Sequence, residues 1–255
     1  MQLNLTKPNN GRMIDYWLGG HHNFEIDRQL ADQVSQKLPL VKQNIAENRA
    51  LVKRGVDYMY ARGIRTILDF GAALPTCENT HVVAHQLDPS IKVVYSDIDP
   101  ITAAYGQELL QGVPNAIYLQ CDASTPGCVL DSPLTHRLIG DERQVGIMFL
   151  ALGHVLLEND LRSAWSSLYD WVAPGSYMFV SHASENWNTD PELVAVTQLY
   201  NSAKVPAYYR SRSEILALAQ PWQVTSEGLV DLRYWNLPMP SNPSRHVGYA
   251  MMLFK

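Results

Sequence analysis

Apolar positions along the chain follow two alternating rhythms. Short runs rich in β-branched and aromatic residues stand at 66–70 (TILDF), 91–96 (IKVVYS), 116–120 (AIYLQ), 145–150 (VGIMFL) and 176–181 (SYMFVS). Each predicts a strand. Two further strands are predicted at about 223–230 and at 247–254, VGYAMMLF. Between the runs the spacing turns helical. Ile45, Val52, Val56 and Met59 share one face of a helix over 41–62, and Gly63 supplies its stop. A second helix over 160–172 ends in the turn APGS, and Ser211 with Glu214 forms a capping box that opens a helix to Gln220. Strand and helix in alternation predict a parallel sheet with crossover helices.

Two stretches stand outside the alternation: residues 1–62, before the first strand, and residues 183–220, between the fifth and sixth. Additions of this kind often cover the carboxyl edge of an α/β sheet, where ligands bind. One domain over 1–255 is therefore expected, with a helical cover (1–62), a nucleotide-binding core (63–182), a lid (183–220) and C-terminal strands (221–255).

Composition narrows the partners. The 255 residues are 46% hydrophobic, enough to bury one large core, and the net charge is −5. Without a long basic run, a nucleic-acid partner bound through phosphates is not expected. No apolar run approaches the ~18 residues of a membrane span, and the first residues lack the apolar core of a signal peptide. The three cysteines, Cys77, Cys121 and Cys128, form no C-x-x-C pair. That odd, sparse count predicts free thiols in a reducing, cytoplasmic setting.

The first strand runs into Gly71-Ala72-Ala73-Leu74-Pro75-Thr76. A dinucleotide site asks for G-x-G-x-x-G, so that backbone meets pyrophosphate. Here one glycine remains and Pro75 lacks an N–H, so the turn suits a ligand without phosphates. Thr76 is placed to cap the next helix. Asp97 ends the second strand, where a carboxylate accepts ribose hydroxyls. Asp99, followed by Pro100, reads as a helix N-cap. Asp122 ends the third strand, where it can accept from an adenine amino group while the backbone of Ala123 serves a ring nitrogen. One small residue and two acids at successive strand ends describe an adenosine site, and S-adenosylmethionine (SAM) is its common occupant.

The stretches DFGAALPT, VVYSDIDP and APGSYMFVSHAS resemble the type-19 family of SAM-dependent methyltransferase-like proteins. So do the opening RMIDYWLGGHHNFEIDR, the block ENRALVKRGVDYMYARGIRTILDFG, the later YRSRSEI and the closing RHVGYAMMLFK. The resemblance implies a Rossmann-like class I fold: seven strands, mostly parallel, with the last antiparallel. It implies SAM contacts at Gly71, Asp97 and Asp122, with Tyr16, Gly19, Gly20 and Asn23 closing over the ligand; Ala72, Ile98, Ala123 and Leu150, their neighbours at the strand ends, are expected contacts as well. Two departures stand out: Ala73 replaces the family's second glycine, and DASTPG follows where the family reads like DLRDP.

Other residues could carry chemistry. Arg49 interrupts the apolar stripe of its helix and needs a partner: a structural acid, or a carboxylate at the site such as that of SAM's methionine moiety. His154, after the fourth strand, His182, ending the fifth, and Tyr16 are candidate catalytic groups, the histidines because their ordinary pKa lies near neutrality. His81 and His85 are four apart, but no third ligand accompanies them and no metal is expected. Tyr208, Tyr209, Trp187 and Trp222 can pack as core or line an acceptor pocket. The expected function is methyl transfer to a small molecule. The alternatives are cyclisation of SAM with release of methylthioadenosine, a SAM-binding module without turnover, and a nicotinamide dehydrogenase.

Overall fold

The structure is a computed structural model that describes residues 7–74, 79–241 and 246–255. Five parallel strands form its centre: β1 (Thr66–Phe70), β2 (Lys92–Asp97), β3 (Ala116–Gln120), β4 (Gly146–Phe149) and β5 (Tyr177–Ala183). They continue into β8 (Gly248–Phe254), which runs antiparallel to β5, and then into β6 (Gln223–Val224), so the order across the sheet is β3-β2-β1-β4-β5-β8-β6. The expected sixth strand is two short pieces, β6 (Gln223–Val224) and β7 (Val230–Asp231), both paired with β8. The break is a turn in which Gly228 adopts φ +72° and its N–H donates to the carbonyl of Thr225. The sheet thus has eight strands where seven were expected.

Strand pleating sends alternate residues to two apolar layers. Leu68, Phe70, Ile147, Phe149, Met178 and Val180 pack with α8 (Glu158–Trp171), α10 (Arg212–Leu218), Trp165 and Trp222. Ile67, Val93, Tyr95, Met148 and Phe179 pack on the other side with α3 (Val41–Tyr60) and Trp235. Gly55 of α3 lies against the ring of Phe179, with no room for a Cβ.

A third apolar cluster lies outside the sheet. It joins Met13 and Trp17 of α1 (Asn10–Trp17), Leu30, Ala31 and Val34 of α2 (Glu25–Lys37), and Leu193 and Val196 of α9 (Pro191–Ser202). The two additions expected as cover and lid therefore share one small core. The 183–220 stretch divides: α9 joins that cluster, whereas Ile215 and Leu218 of α10 belong to the main core. The Ser211–Glu214 capping box forms as expected.

Candidate functional site

Register brings the ends of β1, β2, β3 and β4 to one edge: Phe70 pairs with Ser96, Asp97 with Gln120, and Asp69 with Met148. The turn after β1 opens with Gly71 at φ +62°, a conformation that favours glycine. Ala73, in place of a second glycine, is also left-handed at φ +53°. It is held there from both ends: its N–H donates to Asp97 Oδ2 at 3.1 Å, and its carbonyl accepts from the Tyr118 hydroxyl at 2.7 Å. The amide of Ala72 donates to the carbonyl of Ser96. These two amides are occupied, so they offer nothing to a pyrophosphate.

Asp97 is 9% exposed, and its other oxygen accepts from the Asp99 amide at 2.9 Å. Burial pushes its carboxyl up to about 6, against the pull of those backbone donors. Asp69, inside β1, is pushed up to about 6 by the same cause. It accepts from the Thr80 hydroxyl at 2.6 Å and feels the opposing charge of Arg49. Among the described residues Arg49 makes no hydrogen bond or ion pair, so Asp69 is the carboxylate its charge favours. Asp69 was missed in the sequence; the signal available was an acid within an apolar strand.

Beside Asp97, Ile98 is 58% exposed and presents an apolar surface. At the end of β3 one oxygen of Asp122 accepts from the Ser124 amide at 2.9 Å. Cys121 and Cys128 flank this turn and are joined by a disulfide, which corrects the expectation of free thiols. Thr76 and Cys77 lie outside the described residues.

The N-terminal block is tied directly to this edge. Arg12 and Asp27, 2% and 0% exposed, form an ion pair at 2.8 Å, and Arg12 reaches Asp99 at 3.2 Å. Asp99 also caps α5 (Pro100–Leu109), accepting from the Thr102 amide and hydroxyl, as expected. A Cβ on Gly11 would touch Ala73, so α1 rests on the turn after β1. Neither Arg12 nor Asp27 was singled out in the sequence.

Other residues of that block face elsewhere. The Tyr16 hydroxyl, expected at the ligand, donates to Asp32 on the exposed side at 3.1 Å. Asn23 donates its amide to Asp15 and Gly20 and accepts from Arg28 on its oxygen, which ties the turn together. Gly20 is needed because a Cβ there would overlap the Asp15 carboxylate, and Gly19 is an exposed helix stop at φ +83°.

Beyond β4, Leu150 is half-buried, and the Ala151 amide donates to the Ser181 hydroxyl, which donates to Asn48 of α3 at 2.7 Å. His154 and His182 lie with ring centres 5.8 Å apart. Burial lowers His154 to about 3 and His182 to about 4, with the nearby Arg210 charge adding to both. His182 has no capacity left as a base: its Nδ1 bonds the carbonyl of Ala183 at 2.7 Å, and its Nε2 accepts from Arg210 at 3.0 Å. His154 Nδ1 is buried without a partner among the described residues. His81 instead bonds the Tyr95 hydroxyl, and no cluster able to hold a metal occurs among the described residues.

The donor set at this edge fits SAM. Two buried carboxylates call for hydroxyl or cationic donors, Asp122 has an acceptor to spare, and an apolar surface stands between them. This edge, on a sheet of this order, defines a class I SAM-dependent methyltransferase. The chain belongs to the S-adenosyl methyltransferase family, whose pattern it matches over residues 1–252. It is similar to a candidate methyltransferase from Thermobifida fusca, at 31% identity and TM-score 0.90, over 99% of this chain and 96% of that one. It is also similar to a DUF574 family protein from Streptomyces avermitilis, at 25% identity and TM-score 0.90, over the whole of both chains. Human N-acetylserotonin methyltransferase, solved with SAM, shares the fold at 13% identity and TM-score 0.52, over 96% of this chain and 63% of that one. No protein of curated function matches the sequence. No helix among the described residues is long and apolar enough to cross a membrane.

Proposed function

We propose that the methyl acceptor is a small molecule, taken up beneath the shared cover of α1, α2 and α9. The observation that carries this reading is the third apolar cluster, which seats a helical roof against the turn after β1. A roof of this kind suits a compact acceptor better than a polymer strand, and the net charge of −5 argues the same way. Bound SAM supplies a methyl group already activated on sulfonium. In this reading Asp97 accepts the ribose hydroxyls, Ile98 lies against adenine, and Asp122 with the Ala123 backbone fixes the base. Gly71, Ala72 and Leu150 line the approach. Asp69 and Arg49 face the amino-acid end with opposite charges. The chain aligns the reactants and excludes water, work that needs no dedicated acid–base pair.

Calorimetric titration with SAM, followed by incubation with a broad acceptor panel, tests the reading. S-adenosylhomocysteine, together with a methylated small molecule, is the expected product. Binding without that product across the panel overturns it. Methylthioadenosine formed without any acceptor assigns the chain to SAM cyclisation instead.

A further inference from the structure

Arg210 is a buried cation with no acid of its own. It is 6% exposed, and no carboxylate lies within ion-pair distance among the described residues. Glu158 and Glu214 act on it only at range; the first pairs with Arg162 and the second caps α10. Its protein partners are neutral. Nη1 donates to the carbonyl of Gly153 at 2.9 Å and to His182 Nε2 at 3.0 Å, and Nη2 donates to the carbonyl of Leu156 at 2.8 Å. A guanidinium carries five N–H donors. Nε and one hydrogen of Nη2 have no acceptor among the described residues. Nε and Nη2 together form the edge of a guanidinium that can meet both oxygens of a carboxylate.

The position matters as much as the charge. Arg210 bridges the segment after β4 to the end of β5, on the carboxyl edge. Two further buried polar atoms, Ser184 Oγ and His154 Nδ1, have no partner among the described residues; Ser184 is bridged to Arg210 through the backbone, and His154 feels the Arg210 charge. The half-exposed ring of Tyr208 stands 5.8 Å from the guanidinium. An uncompensated buried cation is costly unless something answers it.

We propose that Arg210 is the anchor of a subsite for a carboxylate, and that the methyl acceptor is therefore a monocarboxylic acid. This rests on the methyltransferase reading above and names its substrate class. In the reaction a carboxylate oxygen supplies the electron pair for the new O–CH3 bond. The S–CH3 bond breaks with its pair left on sulfur, giving a methyl ester and a neutral thioether, and no proton moves. That balance suits an edge whose two histidines are held neutral and are poor bases. A phenol, by contrast, would have to lose its proton before or during the transfer, and an amine after it. One cation rather than a cluster also favours a single negative charge over a phosphate.

The test is binding, with turnover as a second readout. SAM binding is first established by calorimetry, so that failure of the cofactor reading is seen separately. Benzoate and hexanoate, each against its primary amide, are then titrated into the SAM-free and the S-adenosylhomocysteine-loaded protein by saturation-transfer NMR. The acids are expected to bind at least tenfold tighter than the amides, and Arg210→Met to abolish the difference. The discrimination is read in the unaltered protein, so it holds even if the variant misfolds. Arg210→Lys, which keeps the charge without the fork, should retain part of it. Where turnover occurs, the product should be an alkali-labile methyl ester. Equal binding of acids and amides, or binding of neither by a protein that binds SAM, overturns the proposal. So does a methylated phenol or amine as the sole product.

Discussion

Acidification should weaken SAM binding, and the structure gives the size of the effect. Burial pushes Asp69 and Asp97 both up to about 6. A carboxyl raised by about two pH units carries about 3 kcal/mol of preference for its protonated form over an unfolded reference. The folded protein therefore keeps protons that the unfolded chain releases between about pH 4 and 6, and these groups favour folding less as pH rises through that window. His154 and His182 have the opposite sign. Their pKa values are depressed to about 3 and 4, so the stability they contribute is present above about pH 6.5 and is lost on acidification. The two trends oppose each other, and global stability is a poor readout. Affinity separates them, because both histidines remain neutral in the folded protein above about pH 5. Hydroxyl donors and a cationic ligand favour the ionised carboxylates. At about pH 5 a group with a pKa near 6 is ionised in roughly one molecule in ten, so SAM should bind about tenfold more weakly per carboxylate than at pH 8. Calorimetry across that range, repeated in buffers of different ionisation enthalpy, reads both the affinity and the protons released. Asp97→Asn should remove about half of the dependence. A flat profile in the parent protein would refute the assignment of these acids to the ligand.

Other perturbations test other parts of the structure. Arg12→Met leaves Asp27 buried and unpaired, so it should cost about 3–5 kcal/mol and lower the thermal midpoint; Asp27→Asn in the same chain should restore part of the loss. Gly55→Ala forces a methyl against Phe179 and should destabilise by about 1–3 kcal/mol in urea titrations, with SAM affinity kept in the folded fraction. Asp122→Ala should weaken SAM binding about tenfold or more while far-UV circular dichroism and the thermal midpoint stay close to the parent.

The sheet was legible because fully buried strands and amphipathic helices repeat with different periods. TILDF, VVYS and MFVS needed no tertiary knowledge to be placed. Asp97 and Asp122 were legible for the same reason, since a polar residue ending an apolar run marks the edge. The sixth strand was not, because a two-residue ladder carries no periodicity, and the turn at Gly228 falls inside what looks like one run. Arg12 and Asp27 stayed hidden because their pairing spans two helices and a loop, and each alone reads as an ordinary solvated charge. The Asp32 partner of Tyr16 was equally hidden, because the acid lies one helix away in the sequence. His182 followed a sound rule about neutral pKa values, but the rule assumes solvent, and burial beside Arg210 removes it.

The bridge between Cys121 and Cys128, seven positions apart, closes a loop that holds Asp122 and Ala123. A clasp this short withdraws about 2–3 kcal/mol of chain freedom from the unfolded ensemble, and it stiffens the rim where the purine would dock. Reduction by dithiothreitol in a purification buffer should therefore loosen that rim. Preparations made with and without it should differ in ligand residence time, and thiol counting on each will show which one a given assay has measured.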